Sequence, residues 1–451
     1  MKIKENVMVE NNCNLSEQMQ QITDENEIRS SIGKTIIVHG SIYKIRKMSG
    51  FAFVMLRQRE EILQCIFVEE ETEIKLQELT EESCVKIKAY VKKEPRAKIG
   101  YELMIQTVQV LSKPKECMPI VINQKEVNTS LEQLLYYRVI TLRNEKQRAI
   151  FKLQEGVTNA FRNFLQKEQF VEIHSPKIVG LGAEGGANTF SLDYFEKKAY
   201  LAQSPQIYKQ MMVGVMERVF EIAPVFRAEK HDTKRHLNEY ISVDFEMGYI
   251  EDFTEIMKME EDMLCYLFEY LKENHKKELQ LWNLTLPQIT KIPVIKFQEA
   301  KKIITEDFHQ CITETKDLSP SEEKILCAWS KEVFGSEFLF VTHYPTEKRP
   351  FYVMDSQENP AETLSFDLLF GGIEITTGGQ RIHLYEKQVD KMKKRNMSVE
   401  NFSQYLMMHK YGMPPHGGLG LGLERFMASL LHLDDVRYTS LFPRDMNRLI
   451  P

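Results

Sequence analysis

The sequence predicts an α+β protein: an N-terminal β-barrel of the OB type, then a larger domain with an antiparallel sheet flanked by helices. Three observations carry this. From Gly33 to Leu111 the chain runs through five short segments that alternate apolar and polar residues, the period of half-buried strands. Phe220–Glu246 reads as two more such strands joined by a charged loop. Between them, a stretch from about Glu145 to Gln166 repeats its apolar residues with helical spacing.

Taken in order, residues 1–30 are polar and aperiodic and predict a tail. The five strand segments are KTIIVHGSIYKI, FAFVMLR, ILQCIFV, CVKIKAYVKK and YELMIQTVQVL, with a polar interval at Leu76–Leu79 that suits a turn or short helix. Strands this short and this close suit a small closed barrel, which places a domain at 31–112. A Pro-containing stretch makes 113–135 a hinge, and 136–451 the second domain. Within it, Thr254–Val333 is helical and charged and reads as an insertion without chemistry of its own, about 254–333. Near the end, HGGLGLGLER at His416–Arg425 runs into FMASLLHL, a glycine-rich stretch opening a helix.

Composition narrows the class. Hydrophobic content of 43% and charged content of 27% over 451 residues are ordinary for a globular protein able to hold two or three domains. No apolar run is long enough to span a bilayer, and MKIKENVMVENNCNLSEQ lacks the apolar core of a signal peptide, so a cytoplasmic location is expected. Seven scattered cysteines without a CxxC pair argue for free thiols over disulfides or a zinc site. A net charge of −6 excludes indiscriminate nucleic-acid binding and leaves room for a local basic face.

The chemistry sits in three places. In the hairpin, Arg227 and Glu229 are two residues apart and would share a strand face, as would Asp244 and Glu246; Arg235 and His236 lie in the loop. Guanidinium groups pair with phosphate oxygens and a carboxylate accepts from an exocyclic amine, so a nucleotide triphosphate fits; an exposed, salt-bridged hairpin fits equally. The glycine stretch brings backbone close to a ligand or packs a helix on a sheet, and no Rossmann or P-loop pattern accompanies it. Lys209 in LAQSPQIYKQ and Arg381 in GGIEITTGGQRIH are two cations which, if they converge, favour a carboxylate ligand. By spacing alone Lys209 reads as a solvated surface lysine.

Together the hairpin and the GLGLER helix resemble motifs 2 and 3 of class II aminoacyl-tRNA synthetases, and FVEIHSP at Phe170–Pro176 resembles motif 1. QSPQxxKQ and QRIH are similar to aspartyl enzymes of the archaeal and eukaryotic type in the aspartate, asparagine and lysine branch. The resemblance implies a class II catalytic domain, an anticodon-binding barrel, a homodimer built through motif 1, and ATP and magnesium as substrate and cofactor. It implies L-aspartate charged onto tRNA-Asp. The alternatives are an asparaginyl enzyme or a paralogue that activates an amino acid for another acceptor. It puts Arg227 on the α-phosphate, Glu229 on the adenine amine, and Arg235, His236 and Arg425 on the outer phosphates. Glu374 and Thr377 would hold the metal. Lys209 and Arg381 would hold the aspartate side chain, with Ser204, Gln206 and Asp244 around its ammonium and Glu184 in a closing loop. Phe53 and Gln64 would stack on and read the anticodon, although a strand aromatic such as Phe53 serves the core as readily.

Departures from the family pattern qualify this reading. GSIYKIRK stands where GWVHEIRD is common. Ser41 and Tyr43, placed near the base that differs between the two anticodons, predict relaxed discrimination and charging of tRNA-Asn as well. EITTGGQ replaces EIxSGAQ but keeps a hydroxyl at Thr377, and His343 stands where aspartate is common.

Overall fold

The computed structural model describes residues 25–59, 61–180, 188–310 and 314–450, in two compact units, Met1–Gln124 and Lys125–Pro451. In the first, helix α1 (Glu25–Ser30) precedes β1 (Thr35–Lys47), β2 (Ala52–Arg57), β3 (Ile62–Phe67), β4 (Cys84–Lys93) and β5 (Tyr101–Ser112). These close into a barrel in the order β1-β2-β3-β5-β4. Alternation decides which side chains fill it: Val38, Ile42, Val54, Leu56, Leu63, Val85, Ile87 and Leu103 are buried inside. The polar interval forms a single 3₁₀ turn at Leu76–Glu78.

One position departs from strict alternation. A bulge between Ile42 and Lys44 breaks the β1–β2 register, so Ile42 and the adjacent Tyr43 are both buried. The Tyr43 hydroxyl donates to the Ile122 carbonyl at 2.8 Å, and the Asn123 amide donates to the Tyr43 carbonyl at 3.1 Å and to Glu81 at 2.8 Å. Tyr43 thus fastens the segment that follows the barrel; it does not present itself to a ligand.

The second unit begins with α2 (Leu131–Tyr136), α3 (Arg138–Thr141) and α4 (Glu145–Lys167). Asn144 caps α4 by accepting from the Lys146 and Gln147 amides, and the Ile150, Leu153, Val157, Phe161, Phe164 stripe is buried. Then come β6 (Val171–Glu172), β7 (Ile178–Val179), β8 (Ser191–Tyr194), β9 (Lys197–Leu201), α5 (Gln206–Met216), β10 (Arg218–Phe226) and β11 (Glu239–Gly248). Next are α6 (Thr254–Asn274), α7 (Lys276–Trp282), β12 (Val294–Lys296), α8 (Phe297–Glu306) and α9 (Pro320–Phe334). The chain ends with β13 (Phe338–Thr342), β14 (Ser365–Phe370), β15 (Ile373–Arg381), α10 (Tyr385–Lys394), α11 (Ser403–Lys410), β16 (His416–Gly422) and α12 (Leu423–Leu430). Eight strands form one sheet in the order β12-β13-β14-β15-β16-β11-β10-β6, and β7-β9-β8 form a second. The large sheet is antiparallel from β13 to β10, with parallel pairs only at its two edges.

Helices α4, α6 and α12 bury one face of this sheet through Phe161, Leu264, Phe268, Phe426 and Met427, packed on Phe220, Phe245, Phe366 and Leu419. The segment 254–333 is woven into the unit: α6 supplies core, β12 pairs with β13, and α8 and α9 bury Leu339, Val341 and Leu369. Among the described residues no helix is long and apolar enough to cross a membrane.

Glu260 on α6 is fully buried, with the Thr376 hydroxyl facing its carboxyl and the charge of Asp367 nearby. Burial pushes its carboxyl up to about 8. A proton held by the folded state and released by the unfolded chain makes stability fall as pH rises from the ordinary carboxylate range to about 8. Glu260→Gln removes this contribution, so its melting temperature should match wild type near pH 4.5 and exceed it increasingly up to pH 8. Thermal scans that run parallel across this range contradict the assignment.

Candidate active site

The open face of the sheet carries a cavity of about 400 Å³. The β10–β11 hairpin, β15, β16, α12 and the start of α5 line it, and every functional residue forecast in this unit touches it or its floor except Glu184, which lies outside the described residues.

At one end is a cluster of four buried charges. Asp244 and Glu246 share a face of β11, as their spacing requires, and face Lys209 from α5 and Arg381 from β15. Lys209 Nζ donates to Asp244 Oδ1 at 2.8 Å and to the Leu419 carbonyl at 2.7 Å, and lies 3.3 Å from Glu246. Arg381 Nε donates to Glu246 Oε1 at 2.9 Å, and its Nη2 to the Gly418 carbonyl at 2.9 Å and to Gln206 at 3.3 Å. Burial alone would raise the Glu246 carboxyl; Arg381 and then Lys209 outweigh it and hold the group below the ordinary carboxylate range. Lys209 is 1% exposed and no surface lysine; it lies beneath the floor, whereas Arg381, Ser204, Gln206 and Asp244 open onto the cavity. Ser204 accepts the Gln206 amide, and Ser242 donates to the far oxygen of Asp244.

The glycines of HGGLGLGLER form the central strand β16, and the helix begins only at Leu423, with Arg425 in its first turn. Gly418 and Gly420 are needed for proximity to β11. A Cβ on Gly418 would stand 2.1 Å from the Phe245 carbonyl and 2.3 Å from Glu246 Oε2, and one on Gly420 2.9 Å from Asp244 Oδ1. The stretch lets β16 lie against the acidic face of β11.

The other end is a basic rim over two carboxylates. Strand β10 ends at Phe226, so Arg227 and Glu229 lie just beyond it and not on a strand face. Asn238 holds them by donating to both carbonyls, at 2.7 and 3.1 Å, and the two side chains pair loosely at 3.7 Å. Arg425 reaches 3.8 Å from Glu374 and donates to the Arg235 carbonyl at 3.3 Å. His236 is not a cation here: burial first, then Arg425, depress its ring to about 4.

A bulge at Leu368/Leu369 shifts the β14–β15 register. Glu374 and Thr377, three apart, therefore both line the cavity, and the Thr377 hydroxyl donates to Glu374 at 2.6 Å. Burial would raise the Glu374 carboxyl, but Arg425 and then Thr377 hold it down. Directly across from Thr377 stands Asp367, which the sequence reading missed. Burial raises it to about 6 against the pull of Arg349, whose guanidinium pairs with it at 2.8 Å and stacks 3.9 Å over the Tyr344 ring. Asp367 Oδ1 is buried without a hydrogen-bond partner among the described residues. A lone acid in the buried run SFDLLF was the available signal. His343 takes no part: it bends after β13 at φ 60° and packs edge-on against Phe253 at 5.5 Å.

The barrel carries a separate cleft lined by Phe51, Phe53, Gln64, Lys92, Arg96 and Glu102, among others. Phe53 is half-buried at its wall and meets Phe51 edge-on at 5.2 Å. Gln64 donates to Glu102 at 2.5 Å. Neither Ser41 nor Tyr43 lines the cleft. Ser41 is half-buried 3.7 Å from the Cys84 thiol, whereas Tyr43 is buried at the barrel bulge and bonded to Ile122, which removes Tyr43 from the expected contact with the anticodon.

Comparison with known proteins matches residues 130–446 to the family described as tRNA synthetases class II (D, K and N), and 36–111 to an OB-fold nucleic acid binding domain. The chain is 42% identical over 426 residues to the aspartate--tRNA(Asp/Asn) ligase of Thermus thermophilus, covering 94% of this chain and 99% of that protein. It is 39% identical to the aspartate--tRNA(Asp) ligase of Pyrococcus abyssi, over 93% and 97%. Among solved structures, asparaginyl-tRNA synthetase from Pyrococcus horikoshii complexed with asparaginyl-adenylate superposes with a TM-score of 0.86 at 31% identity, over 94% of this chain and 97% of that one.

Gly418→Ala forces a Cβ against a neighbouring backbone carbonyl in the middle of the sheet. Urea denaturation should show a loss of about 3 kcal/mol; a loss below about 0.5 kcal/mol would refute the packing account.

Proposed function

Because the chain belongs to the class II tRNA synthetases of the D, K and N group, we propose that it activates L-aspartate with ATP and transfers it to the 3′ end of tRNA-Asp and tRNA-Asn. The observation that carries the amino-acid choice is the buried cluster. Asp244, Glu246 and Arg381 alone would sum to one negative charge and repel an acidic side chain. Lys209 brings the sum to zero, leaving Arg381 on the cavity wall to take a carboxylate. Asp244, Ser204 and Gln206 then suit the substrate ammonium. A neutral amide side chain gains nothing from that added charge, which favours aspartate over asparagine; a paralogue that passes aspartate to another acceptor would keep the lysine and is separated only by the charging of tRNA. Acceptance of both tRNAs rests on relatives such as those of Thermus thermophilus and Deinococcus radiodurans, named for both, at 42% and 43% identity.

The α-carboxylate of aspartate attacks the α-phosphorus, forming a carboxyl–phosphate bond as pyrophosphate leaves; the tRNA hydroxyl then attacks the carbonyl and AMP departs. The first nucleophile is already ionised, so alignment and charge neutralisation replace a protein base. In this reading Arg227 meets the α-phosphate, Glu229 the adenine amine, and Arg235 and Arg425 the outer phosphates; neutral His236 serves as a hydrogen-bonding group. Glu374, Thr377 and Asp367 suit magnesium. Their oxygens are hard donors, Asp367 Oδ1 awaits a partner, and magnesium needs only one or two carboxylates when phosphates complete its shell. Bound there, it would neutralise charge on the phosphates. We read the chain further as a cytoplasmic homodimer. The five described cysteines are all free thiols, as a reducing compartment favours, and Val171 on the edge strand β6 is exposed.

Arg227→Ala should lower kcat/KM for aspartate-dependent pyrophosphate exchange by about 2–4 kcal/mol of barrier; activity within twofold of wild type rules out the contact. Phe53→Ala should cut tRNA charging by about 1–3 kcal/mol through lost base stacking and leave exchange unchanged; parallel losses would make Phe53 a folding residue. Aminoacylation of purified tRNA-Asp and tRNA-Asn with labelled aspartate tests the acceptors. Rates within about tenfold are expected, and a preference beyond about a hundredfold excludes the dual assignment.

A further inference from the structure

Glu323 belongs to α9, outside every motif named above, and it does not line the cavity. Its side chain is nonetheless buried at the junction of two phosphate-side elements. One oxygen, Oε2, accepts the Arg235 Nη2 hydrogen at 2.5 Å and the backbone N–H of Glu374 at 2.8 Å. A single carboxylate oxygen thereby joins the hairpin loop to the start of strand β15. The Ser319 capping box that starts α9, with Pro320 in its first turn, fixes where that carboxylate stands. Arg235 keeps a second nitrogen, Nε, buried and without a hydrogen-bond partner among the described residues, while the guanidinium lines the cavity. Glu323 thus holds the arginine through Nη2, while the rest of the side chain, 19% exposed in all, still reaches the cavity.

We propose that Glu323 is a positioning residue for nucleotide binding: by holding Nη2 it sets the rotation of the Arg235 guanidinium so that its cavity-facing part meets the outer phosphates of ATP, and it fixes the backbone of Glu374 beside them. Charge-assisted, short hydrogen bonds of this kind are directional enough to hold a planar guanidinium in one orientation. Without the grip Arg235 must be ordered by the nucleotide itself, and that cost falls on ATP affinity and not on the aspartate cluster at the far end of the cavity.

The assignment rests on reading the cavity as an ATP site. Exchange by the wild-type enzyme tests that reading, and only the variants test Glu323. Glu323→Gln keeps the volume and an acceptor while removing the charge. In pyrophosphate exchange it should raise KM for ATP by about tenfold or more and leave KM for aspartate within about twofold. In an Arg235→Met background the same substitution should add less than about twofold, because the two residues act as one unit. An unchanged KM for ATP overturns the proposal. So does a fall, which would mean Glu323 holds Arg235 away from the phosphates. An equal rise for ATP and aspartate, or full additivity with Arg235→Met, would reduce Glu323 to a structural role.

Discussion

Two carboxylates side by side on a central strand are the constraint around which the catalytic unit is arranged. Asp244 and Glu246 are 2% and 0% exposed, and burying both unpaired would cost several kcal/mol each. Lys209 and Arg381 make the arrangement tolerable, and each arrives from a different element, so α5 and β15 cannot shift independently of β11. Gly418 and Gly420 of β16 follow from the same demand, since a side chain at either position would run into the acidic face of β11. Stability, packing and substrate selection share one set of contacts.

The nucleotide end is built on the opposite principle. Two of its cations are partly exposed and loosely paired, with Arg227 and Glu229 3.7 Å apart and Arg425 and Glu374 3.8 Å apart, while Arg235 is held tightly by Glu323. Weak pairs can be exchanged for phosphate oxygens with little loss. The β14–β15 bulge sets the hydroxyl and the carboxylate side by side, and Asp367 is held opposite by an arginine stacked on Tyr344.

Much of this was legible in the sequence because alternation and helical spacing report burial directly. The five barrel segments and the helix beginning at Glu145 fall where their periodicities put them. The motifs brought Arg227, Glu229, Arg235, Glu374, Thr377, Arg381 and Arg425 to one cavity. What stayed hidden depends on register or on long-range packing. A bulge is invisible to a period-two pattern, so Tyr43 was set facing a ligand when it faces the chain beyond the barrel. Glycines and a helix start could not be told apart from a strand followed by a helix. Lys209 reads as solvated until Asp244 and Glu246 are known to stand above it. Asp367, Arg349 and Glu323 lie in no motif, and Glu323 comes from a segment set aside as an insertion.

The neutralised cluster should select an acidic side chain, although the fold is shared with an asparaginyl enzyme. Pyrophosphate exchange by the purified wild-type chain, with ATP and either aspartate or asparagine, tests it most directly. kcat/KM for aspartate should exceed that for asparagine by at least about a thousandfold, because an amide brings no negative charge to the Arg381 guanidinium on the cavity wall. Equal efficiency, or a preference for asparagine, would contradict it.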